Sequence, residues 1–344
     1  MFGAACNNIL NFFSFNNPVF IQFRRIFMQV FSSQEKTISY PGSVVTIGNF
    51  DGIHLGHRAL IRLAVHEAKA RGCVSALVTF EPHPQEIIHS KQSVLRICTS
   101  VHQLRLLEEL GLDELHVIPF TNELSQMPPE EFALKFLIKR FDLAKLVIGY
   151  DFRFGKSRAG DFILLENLSR KYNFSLEEVP PIQEKGQTVS STLIRELLQE
   201  YRFEEIPSYL GRDFSIFGKT VHGEQRGQKI GFPTANIQPG IDLALPKGVY
   251  VSKIKLAEKI HFGVTNVGKR PTFGKNDLTV ETWLFDFKED IYGKDLEIFP
   301  IFQLRPEKKF TSTDHLKNQI KQDIEAARNY IAEHELELAP SLTS

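Results

Sequence analysis

In the first half of the chain, short apolar runs alternate with longer stretches whose apolar positions recur every three or four residues. The runs at 44–47, 73–80, 115–119 and 145–148 are rich in β-branched residues, which predicts buried strands. Residues 59–71 place Leu60, Leu63, Ala64 and Ala68 on one helical face and stop at Gly72. Two further helical patterns lie at 101–110, ending at Gly111, and at 129–141, with Glu130 and Glu131 in the first turn. Strand and helix alternating in this order predict a parallel sheet covered on both faces. After Gln199 the period changes. Residues 201–210, with Pro207 and the Glu204-Glu205 pair, read as a connector. Short β-rich runs follow at 216–221, 249–256, 261–267, 280–287 and 296–304, separated by Gly, Pro and Asn; 290–295 joins the last two tightly, and a helical pattern closes at about 315–332. These features predict a small β-barrel with a closing helix.

Composition adds limits. A chain of 344 residues is long enough for two domains with separate cores. Its 41 basic and 41 acidic residues balance, which argues against a nucleic-acid partner or an anionic membrane surface. Cys6, Cys73 and Cys98 fall in no paired spacing, so a structural zinc or a disulfide framework is not expected and a reducing cytoplasm is. Residues 1–31 contain Phe and Asn in excess and no Asp or Glu. They hold no apolar run of about 18 to span a bilayer. Arg24 and Arg25 come too late for a signal peptide, and Ser and Arg are too few for a good transit peptide.

The stretch Gly48-Asn49-Phe50-Asp51-Gly52-Ile53-His54-Leu55-Gly56-His57 joins the first predicted strand to the first predicted helix. Ligands of parallel sheets bind at such carboxyl ends, where backbone N–H groups and the helix dipole favour an anion. Two imidazoles three residues apart can share one face of the incoming turn, and the glycines admit a ligand close to the backbone. Taken singly, each histidine reads first as a surface or packing residue; the spacing, after a strand and before a helix, points to a nucleotide triphosphate. The stretch resembles the G-x-F-D-G-x-H-x-G-H signature of nucleotidylyltransferases, and more closely that of the bacterial bifunctional riboflavin kinase/FAD synthetases.

Other stretches carry the same resemblance. Glu81-Pro82-His83-Pro84 ends a predicted strand and is by itself ordinary loop punctuation. In 149–157, Gly149 stands one residue too far from Gly155-Lys156-Ser157 for a phosphate-binding Walker loop. Asp151 and Arg153 flanked by Phe152 and Phe154 instead suit a charged aromatic ligand, and resemble the G-x-D-F-R-F-G of the FAD synthetase module. Val189-Ser190-Ser191-Thr192-Leu193-Ile194-Arg195 reads alone as a helix cap as readily as a binding element. It resembles the family's I-S-S-T-x-I-R, whose hydroxyls and Arg hold the triphosphate; Val189 for Ile is a conservative departure.

In the second half, Gly218, Gly223, Gly227 and Gly231 with Lys219, Arg226 and Lys229 suit either a flexible hairpin tip or a phosphate cradle. Gly231-Phe232-Pro233-Thr234-Ala235-Asn236 resembles the G-F-P-T-A-N signature of riboflavin kinases, in which the Thr and Asn contact Mg²⁺ and ATP. Gln228 stands where the family often has Arg. In Val280-Glu281-Thr282-Trp283-Leu284-Phe285, period-two alternation puts Glu281 beside Trp283 and Phe285. A carboxylate there is either a solvated rim group or, if desolvated, a general base. The resemblance makes it the base for the ribityl 5′-hydroxyl. Stretches 263–273 and 304–310 also match the family and imply a flavin-side wall and flap.

What the resemblance implies is a Rossmann-like nucleotidylyltransferase domain at 29–200, a β-barrel riboflavin kinase domain at 201–336, and residues 1–28 and 337–344 as leader and tail, Met28 standing where family chains begin. Riboflavin would be phosphorylated to FMN and FMN adenylylated to FAD, with ATP as co-substrate and Mg²⁺ as cofactor. His54, His57, Arg195 and Glu281 would be catalytic. Gly48, Asn49, Phe50, Asp51, Gly56, Ser191 and Thr192 would bind ATP, and His83 with Asp151–Phe154 the flavin, in adenylylation. Gly218, Gly223, Gly227, Lys229 and Pro233 would bind ATP, Asn266, Arg270 and Arg305 the flavin, and Thr234 and Asn236 the metal, in phosphorylation. The enzyme would be cytoplasmic, monomeric or weakly self-associating, with small-molecule partners only. Two rivals stand: a class I aminoacyl-tRNA synthetase, which shares H-x-G-H but would need a lysine-rich loop and an anticodon-binding domain, and a flavin sensor that has lost its chemistry.

Overall fold

The computed structural model describes residues 28–32, 42–88, 94–222, 232–272 and 275–336, with backbone alone for 270–277 within them. Residues 1–27 of the leader, the tail, Gly223, Gly227, Gln228, Lys229 and the Arg270 side chain therefore lie outside the described residues. In chain order the elements are β1 (Gln29–Phe31), β2 (Ser43–Ile47), α1 (Leu55–Arg71), β3 (Val74–Glu81), α2 (Ser100–Glu109), β4 (Glu114–Pro119), β5 (Leu143–Gly149), α3 (Phe162–Tyr172) and β6 (Ser175–Val179). There follow β7 (Gln183–Glu184), β8 (Gln187–Thr188), α4 (Ser191–Gln199), β9 (Ile216–Lys219), β10 (Ala235–Ile237), β11 (Gly248–Leu256), β12 (Lys259–Thr272), β13 (Lys275–Leu284), β14 (Asp295–Pro306) and α5 (Thr313–Glu333). Short helical turns are left unlabelled. The chain forms two compact units that interleave in sequence: residues 1–49, 60–92 and 110–180 in one, and 50–59, 93–109 and 181–344 in the other.

The first unit is built on a six-stranded sheet in the order β1-β4-β3-β2-β5-β6, parallel throughout. Alternate residues of its central strands enter two apolar layers. Val45, Ala76 and Leu146 pack with Phe132, Phe136 and Leu165, whereas Val44 and Val147 pack with Ala64 and Ala68 of α1. A strand buried on both faces favours apolar, β-branched residues, and the polar residues that β2 and β3 do bury are mostly small hydroxyls, Ser43, Thr46, Ser75 and Thr79. Helix α1 stops where Gly72 takes φ 66° and its N–H, with that of Cys73, returns to the carbonyls of Lys69 and Ala68. The expected helix over 129–141 is present but contains a π turn at Leu134–Ile138. Two strands were not foreseen: β1 has only three residues and β6 is Ser-Leu-Glu-Glu-Val. Both are edge strands, which do not require a continuous apolar run.

The second unit holds an antiparallel sheet in the order β10-β13-β12-β11-β14-β9, curled into a nearly closed barrel. Its two edges meet. Val221, just beyond β9, donates its N–H to Asn236 O of β10 at 2.8 Å. A Cβ on Gly218 of β9 would lie 2.7 Å from Ile237 Cγ2, so glycine permits the approach. β13 starts earlier than expected and stops at Leu284, because Asp286 takes φ 54° and turns the chain. The tight connection before β14 is present, with Gly293 at φ 74° and Tyr292 N–H donating to Asp290 Oδ1. Tyr250, Ile254, Val267, Val280 and Ile298 fill the barrel and continue into one core with Ile194, Leu197 and Leu198 of α4 and with Ile206, Tyr209 and Leu210. The stretch read as a connector thus contains a buried helical turn, Ile206–Leu210, whose apolar residues are few but all inward.

Candidate functional sites

The stretch 48–57 begins in the first unit. Gly48 N–H donates to Val78 O at 3.0 Å, and the Thr79 hydroxyl to Asn49 O at 3.4 Å. Residues 50–57 belong to the second unit, where Phe50 (φ 51°), Gly52 (φ 83°) and Ile53 (φ 45°) all occupy the left-handed region. For Phe50 and Ile53 this conformation costs on the order of 1–3 kcal/mol each and persists only where the surroundings hold it. Phe50 and Ile53 are anchored by complete burial. A Cβ on Gly52 would meet Ile97 Cγ2 at 2.8 Å, so Gly52 is required twice over.

This backbone stacks the two histidine rings, centroids 3.6 Å apart and 18° from parallel. Gly56 leaves room for it, since a Cβ there would lie 3.2 Å from His54 Cε1. His57 N–H donates to His54 Nδ1 at 3.3 Å, which places the hydrogen of neutral His54 on Nε2. Burial, reinforced by the Arg195 and Arg212 cations, lowers the His54 pKa to about 4 against the pull of a backbone hydrogen bond. Burial first, then His54 and Arg195, holds His57 well below the ordinary imidazole value. Near neutral pH the pair is therefore uncharged, and each ring offers a donor without bringing a like charge beside the other.

Asp51 faces inward. Its carboxylate is 3% exposed and is taken up inside the protein: Ile97 N–H donates to Oδ1 and Oδ2 (3.0 and 3.1 Å) and Arg195 Nη2 donates to Oδ2 at 2.6 Å. Arg195 Nε donates to Leu95 O at 2.7 Å, so the guanidinium is oriented from two sides. The Ser191 hydroxyl donates to Asp51 O at 2.9 Å and ties α4 to the turn. Ser190 is the helix cap, its hydroxyl accepting from Leu193 N–H, and Thr192 stays exposed in the first turn. The structure thus brings Phe50, Asp51, His54, Gly56, His57, Ser191 and Arg195 into one constellation. Segment 95–97 and Arg212 also hold it. Neither was legible in the sequence, since two of the anchors are backbone groups and Arg212 sits in no motif.

In the first unit, His83 is buried and its Nδ1 accepts from Gln85 N–H at 3.2 Å, leaving the Nε2 hydrogen as the donor. Phe152 and Phe154 stack with centroids 5.4 Å apart; Phe154 continues into the core against Phe132, while Phe152 is half-buried. Asp151 and Arg153 are exposed, and Arg153 Nη1 donates to Phe152 O.

The barrel residues converge through register. Asn236 (β10) lies opposite Glu281 (β13), which lies opposite Asn266 (β12), then Val249 (β11) and Arg305 (β14). Register partners in antiparallel strands share a face. Ile237, Val280 and Val267 form the next row and point into the core, so the Glu281 row faces the other way. Glu281 is half-buried beside Trp283, which meets Phe232 and Phe285 edge-on at 5.8 and 5.2 Å. Asn236 is 7% exposed and donates from Nδ2 to Thr234 O at 3.0 Å; Pro233 is exposed just ahead of Thr234. Arg305 grips Asp323 of α5 through Nε and Nη2 at 2.8–3.1 Å, pinning that helix at the end of the row. Of the other carboxylates, Asp286 is paired with Arg328, whereas Glu307 reaches over Gly268, where a Cβ would meet its Oε1 at 2.5 Å. Gly218 serves the packing against Ile237 described above.

No group of three or more His, Cys, Asp or Glu side chains able to hold a metal occurs among the described residues, and no described helix is long and apolar enough to cross a membrane. Residues 36–193 match the FAD synthetase family and residues 210–331 the riboflavin kinase family. The bifunctional riboflavin kinase/FMN adenylyltransferase of Buchnera aphidicola subsp. Acyrthosiphon pisum is 38% identical over 296 residues, which cover 85% of this chain and 94% of that protein. The Escherichia coli K12 protein of the same description is 36% identical over 290 residues, or 84% and 93% of the two chains. A crystal structure described as a macrolide-efflux protein from Streptococcus pneumoniae shares the fold, with a TM-score of 0.68 at 30% identity over 88% of this chain and 99% of that one.

Proposed function

The chain belongs to the bifunctional riboflavin kinase/FMN adenylyltransferase family, and we propose that its two reactions are carried by two residue sets, adenylylation by residues 29–200 and phosphorylation by 201–336. The enzyme phosphorylates riboflavin to FMN with ATP and adenylylates FMN to FAD with a second ATP.

In adenylylation an FMN phosphate oxygen forms a bond to the α-phosphorus of ATP and the bond to the pyrophosphate leaving group breaks. Positioning and charge stabilisation are what this step needs. The stacked neutral pair His54 and His57 beside oriented Arg195 is the observation that carries the assignment. It offers imidazole donors and one fixed cation, and the turn 48–57 adds backbone amides. Phe50 and Gly56 shape that turn, Ser191 fastens it and Thr192 offers a hydroxyl. Asp51 acts by holding Arg195. His83, with Asp151, Phe152, Arg153 and Phe154, is assigned to the flavin.

In phosphorylation the ribityl 5′-hydroxyl oxygen attacks the γ-phosphorus, ADP departs, and Glu281 takes the proton. Asn266, Arg270 and Arg305 are assigned to the flavin side, Arg305 through its hold on α5. Pro233 with Gly218, Gly223, Gly227 and Lys229 is assigned to ATP. Thr234 and Asn236 would hold Mg²⁺: neutral oxygens, with Asn236 opposite the Glu281 carboxylate, suit a hydrated cation that takes its remaining ligands from phosphate. Bound there, Mg²⁺ would neutralise charge developing on the phosphates. We read the enzyme as cytoplasmic, monomeric or weakly self-associating, and confined to small-molecule partners.

Chromatography of the flavins formed from riboflavin, ATP and Mg²⁺ tests the assignment. Changing His54 and His57 to Ala should reduce FAD formation by roughly 10²–10³-fold for each donor lost. FMN should then accumulate at the wild-type rate. An equal fall in FMN production would refute the assignment of two sets.

A further inference from the structure

Arg212 follows the helical turn Ile206–Leu210 and lies within the stretch matched to riboflavin kinase, not FAD synthetase. Its guanidinium nevertheless reaches the turn 50–57. Nη2 donates to Gly52 O at 2.7 Å and Nη1 to Ile53 O at 3.2 Å. These carbonyls belong to two of the three left-handed residues, one of them the strained Ile53, so Arg212 clamps the backbone at the turn. Gly211 brings it there: it takes φ 70°, and a Cβ on it would lie 2.7 Å from Leu55 Cδ2 in the first turn of α1. Arg212 Nε is buried and makes no hydrogen bond, and no ion pair to the guanidinium occurs among the described residues. The guanidinium is half-buried, and Glu297 and Glu109 act on it only from a distance, without an ion pair. Here it adds positive potential behind the turn that is assigned to the triphosphate.

We infer that Arg212, contributed by the riboflavin kinase part of the chain, is a positioning residue for FMN adenylylation: it clamps the carbonyls of Gly52 and Ile53 and thereby fixes His54 and His57. The inference rests on the assignment of His54 and His57 to adenylylation. Two consequences follow from the geometry. Loss of the clamp lets the turn relax, and displacement of reacting groups by about 1 Å costs as much as 10²-fold in rate. Loss of the charge also removes one of the cations that keep His54 neutral. The charged and titratable groups around this spot are His57, Arg58 and Asp51 on the turn and α1, Arg96 and Cys98 ahead of α2, His102 and Glu109 on α2, Arg195 on α4 and Glu297 on β14. Cys98 is pushed up to about 12, chiefly by burial, and so remains a neutral thiol.

The experiment compares full-length Arg212→Gln and Arg212→Lys with the wild type. It measures kcat and KM for FAD formation from FMN against pH, together with riboflavin phosphorylation. Arg212→Gln should lower kcat for FAD by roughly 10–10²-fold with little change in KM for FMN, and should move the acid limb of the profile to higher pH, since His54 then accepts a proton more easily. Arg212→Lys keeps the charge, so its limb should stay in place and its rate should lie between the other two. Riboflavin phosphorylation should be unchanged in both. Wild-type FAD formation with an unmoved limb in Arg212→Gln would overturn the inference. So would a parallel fall of both activities, or failure of Arg212→Gln to fold while Arg212→Lys behaves as wild type, since those results mark a purely structural role. His54→Ala serves as the control: if it retains FAD formation, the assignment of the turn fails; if it loses FAD formation and Arg212→Gln does not, only the role of Arg212 fails.

Discussion

Replacing Asp51 by Asn tests whether a carboxylate inside the signature acts on the substrate or on its neighbour. The change keeps the size and one acceptor oxygen, so Ile97 N–H retains its partner. What is lost is the 2.6 Å charge-assisted bond from Arg195, and the new amide turns a donor toward a donor. A hydrogen bond to a charged group is worth about 1.5–3 kcal/mol net. The Asp51 side chain is 3% exposed but that of Arg195 is 24% exposed, so solvent screens part of the attraction and the lower half of that range, about 2 kcal/mol, applies. In a unit of this size, roughly 2–4 °C per kcal/mol, unfolding of the part containing α4 should come about 4–8 °C earlier. Arg195 keeps its bond to Leu95 O, so it should sample other rotamers without leaving the site. FAD formation should fall by roughly 10–10²-fold in kcat, the scale of a mispositioned group, while riboflavin phosphorylation is unchanged. The assay is adenylylation of FMN at saturating ATP over a series of Mg²⁺ concentrations, beside a thermal melt of the same preparation. If Asp51 positions Arg195, the loss persists at saturating Mg²⁺. Restoration of the rate by raising Mg²⁺, with an unchanged melt, would show a carboxylate facing the metal or the nucleotide and would refute the reasoning.

Two further outcomes are expected. Glu281→Gln should lower riboflavin phosphorylation by about 10²–10⁴-fold while FMN supplied directly still becomes FAD; near wild-type phosphorylation would move the search to Glu307, whose carboxylate lies over Gly268. Acid should weaken the second unit through its neutral histidines: His54, lowered to about 4, and His102, lowered to about 3 by burial first, stay uncharged in the fold, whereas the unfolded chain takes up protons below about 6.5. Their contribution is therefore complete above that pH and is lost as pH falls toward the folded values. By pH 5 each should cost about 2 kcal/mol, and a urea midpoint that does not move between pH 7 and pH 5 would contradict it.

Much of the architecture was legible because it repeats at short range. The central strands are buried on both faces and therefore rich in apolar and β-branched residues, whereas β1 and β6, at the edges, carry no such signal because an edge imposes no such pattern. Alternation along β13 put Glu281 on the same face as Trp283, and the burial of Val280, Thr282 and Leu284 shows that face to be the one turned from the core. Gly72 and Gly293 stand where turns need a positive φ, a demand that composition alone advertises.

The sequence by itself determined which reactions the chain performs, because both signatures are contiguous and a backbone turn or strand delivers their residues together. It determined too that His54 and His57 share a face, since three residues is a helical spacing and the rings stack. Only the tertiary structure decided what the charged residues do. Asp51 and Arg195 meet across 144 positions, Arg212 reaches Gly52 across 160, and Arg305 meets Asp323 on the closing helix. No periodicity links such pairs, because a side chain's partner is fixed by where the packed cores carry the backbone. The Asp51 carboxylate is buried against a backbone amide and an arginine, for a charged group removed from water must be satisfied by whatever the fold places beside it.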